Sequence, residues 1–128
     1  MKFLIYLFCI STLISCSKGK TWNALEMFDK AFKYDSSIEE VRTLDPTLSI
    51  KCAAYPAGCV TGSPKRFKIR LVDMIVVKFK SERQACEAAV KIDQYYTRNW
   101  LLDDVKGEPV LEDFVKKVYD AKNPTSCD

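Results

Sequence analysis

The sequence predicts a small two-layer α+β domain that is stapled by disulfides, with N-terminal helices followed by a β-α-β-α segment. The chain has 128 residues, the usual size of one domain. Residues 66–80 alternate with the period of a β-strand, and several other segments place apolar residues at helical spacing. Helices that pack on a sheet bury both sets of apolar residues in one core.

The first helix is predicted from an N-cap at Thr21 to about Lys33. Its apolar stripe has four large members at helical spacing: Trp22, Leu25, Phe28 and Phe32.

A second short helix is predicted to begin at Ser36 or Ser37, because a glutamate follows each serine at the spacing of a capping box. It should end at Asp45, since a residue before proline is pushed out of the helical region. Residues 46–65 are predicted to form a loop that prolines and glycines punctuate. A loop of this length is usually functional or stapled, and both interpretations stay open.

The strand predicted at residues 66–80 has apolar residues at every odd position except Asp73, so the odd face is predicted to be the core face. Because this segment is much longer than a mean strand, we expect a bend, bulge or tight turn near Val72 and Asp73.

The remaining elements have clear local signals. Ser81 and Gln84 form a capping box for a helix over residues 82–95. Residues 97–105 are predicted as a second strand, and a turn at Lys106 and Gly107 leads to a last helix that begins at Pro109 and runs to Ala121.

The N-terminus has the anatomy of a secretory signal. Lys2 precedes an apolar run over residues 3–14 that is too short to span a bilayer. We therefore predict that residues 1–15 are a signal peptide. The alternative is a buried N-terminal strand or helix.

The end of this run, Leu13-Ile14-Ser15-Cys16, resembles the lipobox of bacterial lipoproteins. The resemblance implies that Cys16 receives a diacylglycerol, that the chain is cut before it and that the new N-terminus is acylated. It also implies sorting to the outer membrane, because Ser17 rather than aspartate follows the cysteine. Residues 16–20 would then be the lipidated cysteine and a tether, and residues 21–128 the single domain. The alternative is cleavage after Ser17, which would release a soluble secreted protein.

Four of the six cysteines remain once Cys9 and Cys16 are assigned to the leader and the anchor. An even number in an exported chain predicts two disulfides, with three possible connectivities. We favour Cys52 with Cys59, which closes a short loop, and Cys86 with Cys127, which ties the tail to a helix. A zinc site is disfavoured because the chain has no histidine and the spacing is unusual.

The candidate partner surface is a basic strand edge, together with the 46–65 loop. Its members are Lys65, Arg66, Lys68, Arg70, Lys78 and Lys80. They would face anionic headgroups, lipopolysaccharide or an acidic partner. Alternatively, they only protect a strand from edge-to-edge aggregation.

Acidic and aromatic groups give weaker candidates. Asp73 is an isolated carboxylate in an apolar register, and it either marks the bend or serves a two-carboxylate hydrolase with Asp103 or Asp104. Further acids follow at the start of the last helix, where negative charge is favourable without a metal: Glu108, Glu112 and Asp113. Five aromatic residues are predicted to fill the core, with an exposed protein-binding surface as the alternative: Tyr95, Tyr96, Trp100, Phe114 and Tyr119.

Composition narrows the function further. The 20 Lys and Arg residues nearly balance the 17 Asp and Glu residues, which does not suggest a nucleic-acid binder. The lack of histidine excludes Ser-His-Asp and Cys-His catalysis, and no nucleotide fingerprint is present. We predict a non-catalytic binding or assembly accessory of the cell envelope, with no cofactor, metal or small-molecule substrate. The alternatives are a freely secreted effector or inhibitor, and the hydrolase.

Overall fold

The computed structural model describes residues 21–128, which form three helices and a five-stranded antiparallel sheet. The helices are α1 (Ala24–Tyr34), α2 (Glu82–Ile92) and α3 (Pro109–Tyr119). The strands are β1 (Glu39–Val41), β2 (Lys65–Ile69), β3 (Val72–Lys78), β4 (Tyr95–Thr97) and β5 (Trp100–Asp103). Two short 3-10 turns, Pro46–Leu48 and Cys52–Ala54, lie in the long loop. The predicted class, a small α+β domain, is confirmed.

The sheet has the strand order β1-β2-β3-β5-β4, so β3 lies at its centre. Met74 and Val76 of β3 belong to the core formed with α1 and α3, whereas Ile75 and Val77 belong to the core formed with α2. Alternate residues of a strand point to opposite faces, so helices cover both faces of the sheet. This adds a third layer to the predicted two, and it explains the unbroken apolar run of β3.

The segment predicted as one bent strand is the β2–β3 hairpin. Its turn lies at Arg70, which has a φ of +56°, and Leu71, which is 92% exposed. The reversal exchanges odd and even positions, so Phe67 shares a face with Met74 and not with Ile75. The prediction of a tight turn is confirmed. The odd residues Ile75, Val77 and Phe79 beyond the turn are buried as predicted, but in the core on the opposite face of the sheet from Phe67 and Ile69.

The predicted second helix is absent from the described residues, and β1 stands in its place. Asp35 accepts hydrogen bonds from the backbone N–H and the hydroxyl of Ser37, at 3.0 and 2.6 Å. These bonds form a turn after α1, and Glu39 then pairs with Lys68 of β2. Backbone pairing with β2 thus takes the place of the predicted helix.

The other predicted elements differ mainly at their ends. Asn23 rather than Thr21 caps α1, because its side chain accepts the backbone N–H of Glu26 at 2.8 Å. The strand predicted over residues 97–105 is the β4–β5 hairpin, and α2 ends before it at Ile92 with Asp93 as its C-cap. The cap of α2 at Ser81 is confirmed.

The tail and the aromatic core follow the predictions. Pro109 begins α3, and the disulfide between Cys86 and Cys127 ties the tail to α2. Four of the five predicted core aromatic residues are buried: Tyr95, Trp100, Phe114 and Tyr119. The fifth, Tyr96, is half-buried.

Candidate functional site

The long loop before β2 is fixed to the sheet at its C-terminal end. A disulfide joins Cys52 to Cys59, as predicted. The backbone N–H of Val60 donates to the carbonyl oxygen of Lys78 at 2.8 Å, and that of Lys80 donates to the carbonyl oxygen of Gly58 at 2.9 Å. The loop is therefore stapled and also hydrogen-bonded to the end of β3.

The middle of the loop is held by Tyr55. Its ring packs against the core beneath α2, and its hydroxyl donates to a carboxylate oxygen of Asp103 at 2.7 Å. Burial, together with this hydrogen bond, raises the pKa of the Tyr55 phenol far above its ordinary value. Tyr55 therefore stays a donor at physiological pH and latches the loop to β5.

Asp104, next to this latch, is electrostatically strained. Partial burial raises its pKa, and repulsion from Asp103 raises it further, while Arg66 opposes both effects. Arg66 is thus the cation that compensates a local excess of negative charge at the end of β5.

A groove of about 720 Å³ separates the loop from β1 and β2, and we call it the loop groove. Four cationic side chains line it: Arg42, Lys51, Lys65 and Arg66. The single carboxylate that lines it among residues 21–128 is that of Glu40, which lies 3.2 Å from the Lys65 ammonium and 3.8 Å from the Arg42 guanidinium. Within residues 21–128, Lys51 and Arg66 have no carboxylate at ion-pair distance.

Apolar groups accompany these charges. Val41 and Leu48 line the groove and are 38% and 70% exposed, and Ile50 lies between the groove and the core. A surface with exposed aliphatic groups among cations suits a segment that carries both acidic and apolar side chains.

The structure brings together only part of the predicted basic surface. Lys65 and Arg66 lie in the loop groove. Lys68 is exposed opposite Asp73, and Arg70 lies at the hairpin turn with its guanidinium 3.7 Å from Asp35. Because β2 and β3 both lie inside the sheet, these residues do not form a strand edge, and this part of the prediction is wrong.

The other two basic residues lie elsewhere. Lys78 is half-buried at the end of β3, and Lys80 is exposed just beyond it. Sequence reasoning missed Arg42, which follows β1, and included Lys51 only as an unnamed member of the 46–65 loop. Arg42 and Lys51 come close to Lys65 and Arg66 only when the loop folds against β1 and β2, so the shared cluster of positive charge is not visible in the sequence.

The acidic candidates are dispersed. Asp73 is exposed at the start of β3, where the β2–β3 turn ends, and so occupies the predicted bend. Glu112 accepts a hydrogen bond from the Tyr95 hydroxyl at 3.0 Å, and Asp113 pairs with Lys117 at 3.0 Å. No group of three or more metal-ligating side chains occurs within residues 21–128.

The predicted signal peptide, Cys16 and the tether lie outside the described residues. Within the described part of the chain, no helix combines the length and apolar character needed to cross a membrane.

Comparisons of this chain with protein-family models, with curated proteins and with solved structures return no match.

Proposed function

We propose that this protein is a lipid-anchored, non-catalytic binding or assembly accessory on the periplasmic face of the bacterial outer membrane. Its loop groove binds an acidic segment of an envelope protein. The observation that carries this proposal is the set of four cations around one carboxylate, among the described residues, in a groove beside a loop that a disulfide holds in place.

The two disulfides support export. Both are closed within a domain of about a hundred residues, and such bonds persist in oxidising compartments such as the periplasm. Anchoring itself is proposed from the lipobox resemblance at Cys16.

Recognition in the groove would rest on two unequal sets of charges. Glu40 already screens Lys65 and Arg42, so these two side chains contribute mainly shape and hydrogen bonds. Lys51 offers uncompensated charge to a partner carboxylate. The charge of Arg66 is partly offset by Asp104, but its guanidinium makes no ion pair among the described residues and can also bind a carboxylate. Both side chains therefore favour association and specificity. The stapled loop also loses little conformational freedom on binding, because it is already ordered.

The disulfides serve a freely secreted effector or inhibitor equally well, and this is the second candidate function. The two differ in the mature N-terminus, which would be an acylated Cys16 in the first case and an unmodified Lys18 in the second.

A photo-crosslinking amino acid at Leu48 tests the groove directly, since this side chain lines it and is exposed. The matched control carries the same amino acid at Val90, an exposed position on α2 outside the groove. After irradiation of intact cells, we expect a cross-linked partner peptide rich in Asp and Glu from position 48 and none from position 90.

The cross-link should disappear when Lys51→Glu and Arg66→Gln are combined. It should persist when Lys91→Glu and Arg83→Gln are combined on the exposed face of α2, which makes the same change in charge. Equal cross-linking from positions 48 and 90 would rule out the loop groove as the binding surface. So would a cross-link from position 48 that persists when Lys51→Glu and Arg66→Gln are combined.

A further inference from the structure

A second charged cavity lies where the chain enters the domain, and we call it the Trp22 cavity. It measures about 420 Å³ and lies beside the end of α3 and the β4–β5 turn. Among the described residues, four cationic side chains line it: Lys30, Arg98, Lys117 and Lys122. Two carboxylates also line it, those of Glu82 and Asp120. Lys117 is paired with Asp113, whereas the other three cations have no carboxylate within 4 Å among the described residues.

Trp22 is fixed in the wall of this cavity by its backbone. Its N–H donates to the side-chain oxygen of Asn99 at 3.1 Å, and its carbonyl oxygen accepts from the indole N–H of Trp100 at 2.7 Å. Both partners are buried, each with 1% of its surface exposed. The position at which residues 16–20 join the domain is therefore set by the core.

The Trp22 indole in turn positions the cations. The Lys30 ammonium lies 4.6 Å from the ring centroid, and the central guanidinium carbon of Arg98 lies 5.2 Å from it. Such cation–π contacts hold a charged group beside an aromatic face without neutralising it. The cavity thus presents ordered positive charge.

Arg98 adopts a backbone conformation that residues other than glycine and asparagine rarely adopt. Its φ is +52° at the β4–β5 turn, where glycine or asparagine would fit without strain. Backbone strain of this kind clusters at active sites and ligand-binding sites. The guanidinium is well suited to a phosphate, to which it can donate two parallel hydrogen bonds.

The distance to the predicted anchor restricts what can reach the cavity. Six residue steps separate Cys16 from Trp22. A fully extended chain of this length spans at most about 22 Å. An acylated Cys16 therefore keeps the Trp22 cavity close to the headgroups, where basic residues are attracted to an anionic surface. Tryptophan is also enriched at this depth of the interface.

We propose that the Trp22 cavity binds the phosphate groups of anionic lipid headgroups in the membrane that anchors the chain. The proposal rests on the proposed anchoring of Cys16, and it assigns the Trp22 cavity to the membrane while the loop groove serves the protein partner.

The test uses the processed protein purified from cells, after its N-terminus has been determined by mass. It is reconstituted by its anchor into vesicles of phosphatidylcholine alone or with phosphatidylglycerol, each containing a headgroup-labelled quencher lipid. Should the chain prove unacylated, it is added to the same preformed vesicles. Failure of anchoring is thereby separated from failure of the cavity.

Quenching of tryptophan fluorescence reports on Trp22, because Trp100 is buried and shielded. We expect at least twofold stronger quenching on the phosphatidylglycerol vesicles. Arg98→Gly should abolish this difference, and it should keep the turn because glycine accepts a positive φ. Lys122→Gln is a second variant, since the Lys122 backbone stays bridged to Tyr96.

Lys33→Gln, an exposed lysine at the end of α1, is the control and should leave the quenching difference unchanged. Equal quenching on the two kinds of vesicle would overturn the proposal. So would a saturable change of Trp22 emission with inorganic phosphate alone, if Arg98→Gly removes it, because the cavity would then belong to a soluble anion.

Discussion

Asn99 and Trp22 are joined by a hydrogen bond of 3.1 Å between the buried side-chain oxygen of the first and the backbone N–H of the second. The side-chain amide of Asn99 also donates to the backbone carbonyl oxygen of Phe79 at 3.3 Å. The backbone carbonyl oxygen of Asn99 accepts the backbone N–H of Phe79 at 2.8 Å. One buried side chain therefore connects the start of the domain, the end of β3 and the β4–β5 turn.

Replacing Asn99 should destabilise the domain strongly. Asn99→Ala removes both side-chain hydrogen bonds and leaves the Trp22 N–H and the Phe79 carbonyl without them, which should cost about 2–4 kcal/mol in the free energy of unfolding. Urea denaturation measures this cost. Asn123→Ala, which removes a half-buried amide near the tail, should cost about 1 kcal/mol or less. An equal cost at the two positions would contradict the role given to Asn99.

The two disulfides should contribute unequally to stability. Their sequence separations are 7 residues for Cys52 with Cys59 and 41 for Cys86 with Cys127. By the entropy of loop closure, replacing both cysteines by alanine should cost about 2 kcal/mol for the short loop and about 4 kcal/mol for the long one. Denaturation of the two double variants tests this order. Only loss of the Cys52–Cys59 disulfide should weaken partner binding in the loop groove. If only loss of the Cys86–Cys127 disulfide weakened that binding, the Cys52–Cys59 disulfide would not be what shapes the groove.

The Tyr55 latch should make the protein sensitive to high pH. The pKa of the Tyr55 phenol is raised by folding, so the unfolded chain ionises first and the free energy of unfolding falls as pH rises through about 10. Tyr119, buried and with its hydroxyl donating to the Met27 carbonyl, has a raised pKa from burial and contributes in the same direction. Urea denaturation at about pH 8 and about pH 11 should show a smaller fall for Tyr55→Phe than for the parent chain. An unchanged fall would mean that Tyr55 ionises freely and is not latched.

Asp104→Asn should stabilise the protein at neutral pH. The pKa of Asp104 is raised by partial burial and by Asp103, so its charged form is disfavoured in the folded state. Asparagine also tolerates the φ of +60° at this position. After allowance for solvent screening the gain should be roughly a few tenths of a kcal/mol at pH 7. It should vanish well below the carboxyl pKa, where Asp104 is protonated, and thermal unfolding at both pH values measures it. Destabilisation at pH 7 would show that the Asp104 charge is favourable.

Elements with local signals could be predicted from the sequence. The Ser81 cap and Pro109 begin α2 and α3 as expected, and the four cysteines pair as favoured. These features depend on residues close together in the chain, or on chemistry that leaves few alternatives.

The β4–β5 turn was missed, and the β2–β3 turn was predicted only as one of three alternatives, for a common physical reason. Arg70 and Arg98 occupy backbone conformations that usually call for glycine or asparagine, so no turn signal was visible. Strand β1 was missed because three residues become a strand only when they pair with β2. Of the four cations of the loop groove, Lys65 and Arg66 were named from the sequence. Arg42 and Lys51 come close to them only through folding of the loop.

Mass spectrometry of the intact protein from cell envelopes tests the proposed anchoring most directly. We predict a mature chain that begins at Cys16 and carries a diacylglycerol and an N-terminal acyl group. A chain that begins at an unmodified Lys18 and is recovered from the medium would contradict it.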